Sequence, residues 1–137
     1  MDYQKRIKKA SAPSPIGKNI FFAYVIGGSI CCFGELLQFL YEKIMPEDTA
    51  STGVSVSLIF LGVLATATGV FDRVAKIAGA GTLVPITGFA NAVASPALEF
   101  KAEGFITGLG AKMFIIAGPV IVYGLIASVL CGVLFLL

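Results

Sequence analysis

Gly79-Ala80-Gly81-Thr82-Leu83-Val84-Pro85-Ile86-Thr87-Gly88-Phe89-Ala90-Asn91 decides how this chain can fold. It lies in an apolar segment, residues 77–98, that carries no charged side chain and is long enough to cross a bilayer. Two closely spaced glycines, a third at Gly88 and a proline stand in its interior. Glycine weakens a helix and admits backbone angles closed to other residues. Proline breaks a helix interior but suits a first turn. The stretch therefore predicts an unwound backbone over residues 79–84 and a short helix starting at Pro85. Ser95-Pro96 reads as a cap and a fresh start, so that helix should end near Ala94. About ten residues at roughly 1.5 Å each span half the apolar thickness of a membrane. A half-length helix whose N-terminus points into the bilayer is a recurring way to build a solute or ion site.

Outward from this stretch the chain stays apolar, with 57% hydrophobic and only 13% charged residues, too few for the surface of a soluble domain. The expected fold is all-α: a small polytopic membrane protein with three to four apolar spans and a Gly/Pro-broken third segment, re-entrant or discontinuous. Spans are predicted at residues 20–41, 51–71 and 113–137, with the broken segment at 77–95. An amphipathic interfacial helix is expected at residues 96–112, where Gly104-x-x-x-Gly108 would allow a tight contact. Residues 1–18 form a basic arm, and residues 19–137 one transmembrane domain. Small-residue faces at Gly27, Gly28, Ser29 and Gly34, and at Gly62, Ala65, Ala67 and Gly69, suit close helix packing.

Charge sets the expected orientation. Lys5, Arg6, Lys8, Lys9 and Lys18 precede the first span, whereas Glu42, Glu47 and Asp48 outnumber Lys43 in the next loop. The N-terminus is expected in the cytoplasm. A basic flank beside a span is explained by topology, so no nucleic-acid partner is expected. The first apolar run is too long for a secretory signal core and lacks an Ala-x-Ala site. If residues 77–98 return, the C-terminus lies outside; if they cross, inside. The sequence leaves both open. Cys31, Cys32 and Cys131 sit in apolar spans and read as small packing residues. Histidine is absent, and no metal-ligand set, cofactor motif or P-loop is present, so neither an enzyme nor a metal or cofactor site is expected.

Candidate path residues are Gly79 and Gly81, which let backbone approach a solute, and Thr82, Thr87 and Asn91, which offer hydrogen bonds. Pro85 would start the half-helix, whose free N–H groups favour anions. Thr87 and Asn91, four apart, share a helix face. Equally, glycine and proline are common in membrane helices for packing alone. Gly118-Pro119 reads as a second interruption, with Tyr123 near enough to offer its hydroxyl. Asp72, Arg73 and Lys76 form a charged collar, joined by Glu103 and Lys112. Glu35, deep in the first span, is either a pore-lining or helix-pairing carboxylate or a group close enough to the outer face to reach water.

Several blocks together resemble one family. They are Gly27-Gly28-x-Ile30-Cys31, Phe71-Asp72-Arg73, Ala78-Gly79-Ala80-Gly81 and the run from Val84 through Asn91. Ala97-Leu98-Glu99, Glu103-Gly104, Lys112-Met113-Phe114 and Ala117-Gly118 complete the set. The likeness is to the stage V sporulation protein A membrane family of spore-forming bacteria, over nearly the whole chain after the basic arm. Glu35 departs from it, since the family often has Gln there. The resemblance implies passage of dipicolinic acid, as its calcium complex, across the spore inner membrane, inward in sporulation and outward in germination. It implies as partners an AE-type sister membrane protein and the soluble AD protein that binds dipicolinate, in a hetero-oligomer within the lipid bilayer. The N-terminus would face the spore core. Two alternatives are a structural subunit that docks the pore-forming sister and the soluble partner, and a tension-gated channel of low selectivity. No acidic cluster could cage Ca²⁺ here, so calcium would travel with the anion.

Overall fold

The computed structural model describes residues 15–136; most of the expected basic arm, residues 1–14, lies outside them. The first helix, α1 (Ile16–Glu42), is about 40 Å long, and α2 (Glu47–Ala67) about 31 Å. The connection between them is short, which makes them antiparallel neighbours. Extended backbone at Pro46 ends the turn, and Glu47 and Asp48 place negative charge on the positive end of α2. The hairpin is tied at this end by side chains. Tyr41 Oη lies 2.9 Å from Ser57 Oγ, and Gln38 Nε2 donates to Ser51 Oγ at 3.2 Å.

Left-handed backbone at Gly69 (φ 71°) ends α2 and turns the chain into α3 (Val70–Ala78). This short helix is amphipathic: Phe71 and Ala78 are buried, while Asp72, Arg73 and Lys76 are exposed. Gly79 (φ 52°, ψ −118°) breaks the chain, as only glycine readily can. One helical turn follows, α4 (Ala80–Leu83), then extended backbone at Pro85, then α5 (Ile86–Glu99). Residues 80–83 are thus coiled into a turn rather than unwound, and the next helix begins just after Pro85.

That helix does not stop at Ala94. It runs through Ser95-Pro96 to Glu99, about 21 Å in all. The proline ring removes one N–H, but the Pro96 carbonyl still accepts from Phe100 N at 2.9 Å, so the last turn closes behind it. The expected interfacial helix over residues 96–112 is correspondingly absent. Those residues finish α5, form a 3₁₀ turn at Lys101–Glu103 and a π-helical stretch at Phe105–Gly110, and lead into α6 (Ala111–Leu136). Gly104 and Gly108 serve this connection itself. Gly104 has φ 104°, and a Cβ on Gly108 would lie 2.7 Å from Phe100 O. Nor does Gly118-Pro119 interrupt α6, which is helical throughout.

Among the described residues there is no strand, and three helical stretches are long and apolar enough to cross a membrane: Ile16–Glu42, Glu47–Ala67 and Phe105–Leu136. The expected all-α membrane class holds. The segment between α3 and the 3₁₀ turn contains no helix of spanning length.

Packing explains its course. Gly81 rests on α1 at Ala23 and Gly27, while Thr87 and Ala90 rest on α2 at Gly62. Farther along, Thr66 Oγ1 lies 2.9 Å from Asn91 Oδ1. Leu98 and Glu99 share a hollow with Gly69 and Asp72. So α5 runs beside the second half of α2 in the same direction, and ends level with the start of α3. The last helix turns back along it, with Lys112 Nζ 4.5 Å from the Phe100 ring centre and Ala117 buried. From Pro119 to Leu136 every residue of α6 is exposed. The core is small and mostly alanine, and large apolar side chains cover the outside. Such a surface belongs in lipid or against other chains.

Candidate functional site

Of the hollows beside the broken segment, three hold Thr82 and Thr87, Gly79 and Lys76, and Asn91 and Lys112 respectively. Between α1, α2 and α3 lies an apolar groove of about 370 Å³, with Ile30, Phe33, Leu61 and Phe71 among its walls and Thr82 and Thr87 at its floor. At the corner of α1, α3 and α4, Lys76 and Asn19 flank Gly79 and Ala80 around a hollow of about 300 Å³. Between the second half of α5 and the start of α6, Asn91, Ser95, Glu99 and Lys112 surround a third of about 340 Å³.

The hydroxyl groups in the groove are unequal. Ser29 Oγ donates to Val25 O at 2.7 Å, and Thr82 Oγ1 to Gly79 O at 3.1 Å. Thr82 is 2% exposed and its bond holds the α4 turn against the break at Gly79. Thr87 is 8% exposed, and its Oγ1 has no hydrogen-bond partner among the described residues. An orphaned buried hydroxyl costs roughly 1–3 kcal/mol, so it marks either a tolerated defect or a ligand contact. The two separate cleanly in a variant. Thr87→Val keeps the shape and removes the orphan. The purified variant is expected to be as stable as the parent or about 1 kcal/mol more so, measured by thermal unfolding in detergent. If the hydroxyl serves a ligand, binding of that ligand falls even though stability does not.

Asn91 is turned toward α2. Thr66 Oγ1 reaches two acceptors, Gly62 O at 2.8 Å and Asn91 Oδ1 at 2.9 Å, and its one proton serves one of them at a time. Thr87 and Asn91 do share a face of α5, and that face packs on Gly62 and Thr66. Gly81 is buried by close contact with α1, whereas Gly79 is exposed. Asp72 joins Thr66 and Glu99 around a further hollow of about 350 Å³. Arg73 and Glu103 are exposed outside the three hollows, as is Glu35 on α1. Tyr123 is 73% exposed on the bare part of α6, away from the broken segment.

Three partners of these residues carry no motif of their own: Ala23 beneath Gly81, Thr66 beside Asn91, and Asn19 beside Lys76. Thr66 has a faint signal, as a hydroxyl within the small-residue face of α2; Ala23 has none.

Three spanning helices around a segment that doubles back define a small polytopic helical membrane protein. The chain belongs to the SpoVAC/SpoVAEB sporulation membrane protein family, whose model matches residues 19–134. It is similar to stage V sporulation protein AC of Bacillus subtilis (strain 168), with 39% identity over 135 residues covering 97% of this chain and 90% of that protein. No solved structure matches it. The family read from the Gly-Ala-Gly and Val-Pro-Ile-Thr-Gly-Phe-Ala-Asn blocks is therefore the family of the chain.

Proposed function

We propose that this chain is a subunit of a membrane channel or transporter that moves dipicolinic acid, as its calcium complex, across the spore inner membrane in sporulation and germination. The observation that carries the proposal is the double break at Gly79 and Pro85, seated by Gly81 on α1 and by Thr87 on α2. In this reading the segment dips into the bilayer from the side of Asn19 and Gly69 and returns to it. The basic arm holds that side toward the spore core, and three crossings leave the C-terminus on the other. Lys76 at the Gly79 corner and Lys112 at the end of α5 are the cations a dianion would meet. An AE-type membrane protein and a soluble dipicolinate-binding AD protein would complete the complex.

A second reading has its own support. The groove is apolar, and the Thr87–Asn91 face is spent on α2, as in a subunit that docks partners while its sister lines the path. Reconstitution separates the two. Vesicles loaded with calcium dipicolinate and a neutral solute of similar size receive this chain alone, the partners alone, or all together. Selective dipicolinate release that requires this chain and is lost on Lys76→Gln supports the first. Release that requires this chain only for partner binding, and survives Lys76→Gln, supports the second. Equal loss of both solutes under osmotic stretch would favour a tension-gated channel of low selectivity.

A further inference from the structure

Hydroxyl side chains on these helices commonly fall back on the carbonyl four residues earlier. Ser29 donates to Val25 O at 2.7 Å, Thr52 to Asp48 O at 3.2 Å and Thr68 to Leu64 O at 2.9 Å. Thr87 does not follow them. It is the second residue of α5, and extended backbone at Pro85 takes the preceding turn out of line with the helix. Its side chain is nevertheless buried, and its backbone rests on Gly62 of α2. Among the described residues its Oγ1 is the one buried side-chain polar atom without a partner. The bend thus buries a donor and withdraws the acceptor that would ordinarily satisfy it.

This hydroxyl stands at the floor of the apolar groove between α1, α2 and α3. At about 370 Å³, with apolar walls and few polar groups, the groove has the size and make-up of a ligand pocket. Its other two hydroxyls spend their protons inside the chain, Ser29 on Val25 O and Thr82 on Gly79 O. Ser29, Phe33, Leu61 and Val70 on its walls are exposed, so it opens on the outer surface of the helices, where lipid lies.

Depth narrows the occupant. Gly62, beside Thr87, stands five residues before the end of α2 at Ala67, about 8 Å along the axis. Acyl tails alone offer no acceptor there, and a neighbouring helix brings carbonyls that already hold its own amides. An ester carbonyl arrives with the acyl chain it joins, and its oxygen is free to accept. Charge points the same way. Arg73 is exposed on α3 between the groove residues Val70 and Val74, where a lipid phosphate would meet it, while Asp72 lies by the separate hollow with Thr66 and Glu99. We propose that the groove holds one acyl chain of a membrane phospholipid, whose ester carbonyl accepts a hydrogen bond from Thr87 Oγ1. The proposal rests on the membrane setting of the chain and does not need dipicolinate as cargo, so either can fail alone.

The chain has no tryptophan, so a single introduced one is the sole reporter of its surroundings. Phe33→Trp places it on the wall of the groove, and Phe60→Trp on exposed α2 surface outside it. Each full-length protein is reconstituted in vesicles of ether-linked phosphatidylglycerol. Chain-brominated phosphatidylglycerol, ester-linked or ether-linked, is then added at rising fractions. Half-maximal quenching at position 33 is expected at an about fivefold lower fraction of the ester lipid, the worth of one hydrogen bond. Position 60 should not distinguish the two linkages. Thr87→Val should abolish the preference at position 33, and Leu61→Trp, on the facing wall, should repeat both results should Phe33→Trp fail to fold. Equal quenching by both linkages at the groove, or a preference that survives Thr87→Val, overturns the proposal. So does a groove reporter that no brominated lipid reaches while position 60 is quenched, because the groove is then closed or filled by protein.

Discussion

Replacing Gly81 by alanine is expected to unseat the broken segment from α1 and to destabilise the protein, with the dipicolinate release proposed above lost as a consequence. A Cβ at this position would run into the Ala23 carbonyl oxygen and come within 2.8 Å of Ala23 Cα. On the facing helix, a Cβ at Gly27 would lie 3.1 Å from Gly81 O, so there is no slack on either side. Every close atom is backbone, and relief would require α1 and α4 to separate. Overpacking of this kind costs about 1–3 kcal/mol and sometimes more. With a buried core of mostly alanine side chains, little else would hold α4 in place. The measurement is thermal unfolding and protease sensitivity of the purified protein in detergent. Ala23→Gly is expected not to rescue the variant, because it removes a side chain and the clash is with main chain. Gly124→Ala and Gly132→Ala, which meet nothing within 4 Å, serve as controls and should be neutral in the isolated chain. A Gly81→Ala protein as stable as the parent would mean that the α1 contact is looser than the structure has it.

How much of this was legible beforehand follows from how far each feature reaches along the chain. Hydropathy is local, so the spanning helices were visible, although α2 ends at Ala67 because left-handed backbone at Gly69 stops it before Phe71. The breaks at Gly79 and Pro85 were visible for the same reason. What proline does in a helix is less local. Pro96 and Pro119 both sit inside helices because the turn after each can still close or be supported by neighbours. The partners of the broken segment were not legible at all. That Gly81 needs Ala23, or that Asn91 meets Thr66, depends on how far α1 and α2 stand apart, and no pattern near either residue encodes that distance. The sequence candidates accordingly scatter: Thr82 and Thr87 meet in one groove, Lys76 and Gly79 at one corner, and Tyr123 with none of them.

Gly88→Ala should do damage of a different kind, opening the bend between α4 and α5 while leaving the α1 contact intact. Gly88 N donates to Pro85 O at 2.8 Å and so closes the first turn of α5 over the end of α4. A Cβ there would collide with the Leu83 carbonyl oxygen, with Thr82 O at 2.5 Å and with Leu83 C at 2.8 Å. These three atoms belong to the preceding turn, and no smaller side chain anywhere could make room. The helix must swing away, taking Thr87 out of its place against Gly62. The free-energy cost is again about 1–3 kcal/mol or more, but concentrated in the hairpin. A cysteine at position 87, in a chain with Cys31, Cys32 and Cys131 replaced by serine, reports the swing. In detergent Thr87→Cys should react with a maleimide very slowly, as its burial dictates, and many-fold faster once Gly88→Ala is added. On the proposed function, dipicolinate release should fall in the Gly88→Ala protein. Retained release together with fast labelling would show that the bend can open without consequence for transport. Slow labelling would show that it never opened, and that Gly88 is not what holds the two short helices together.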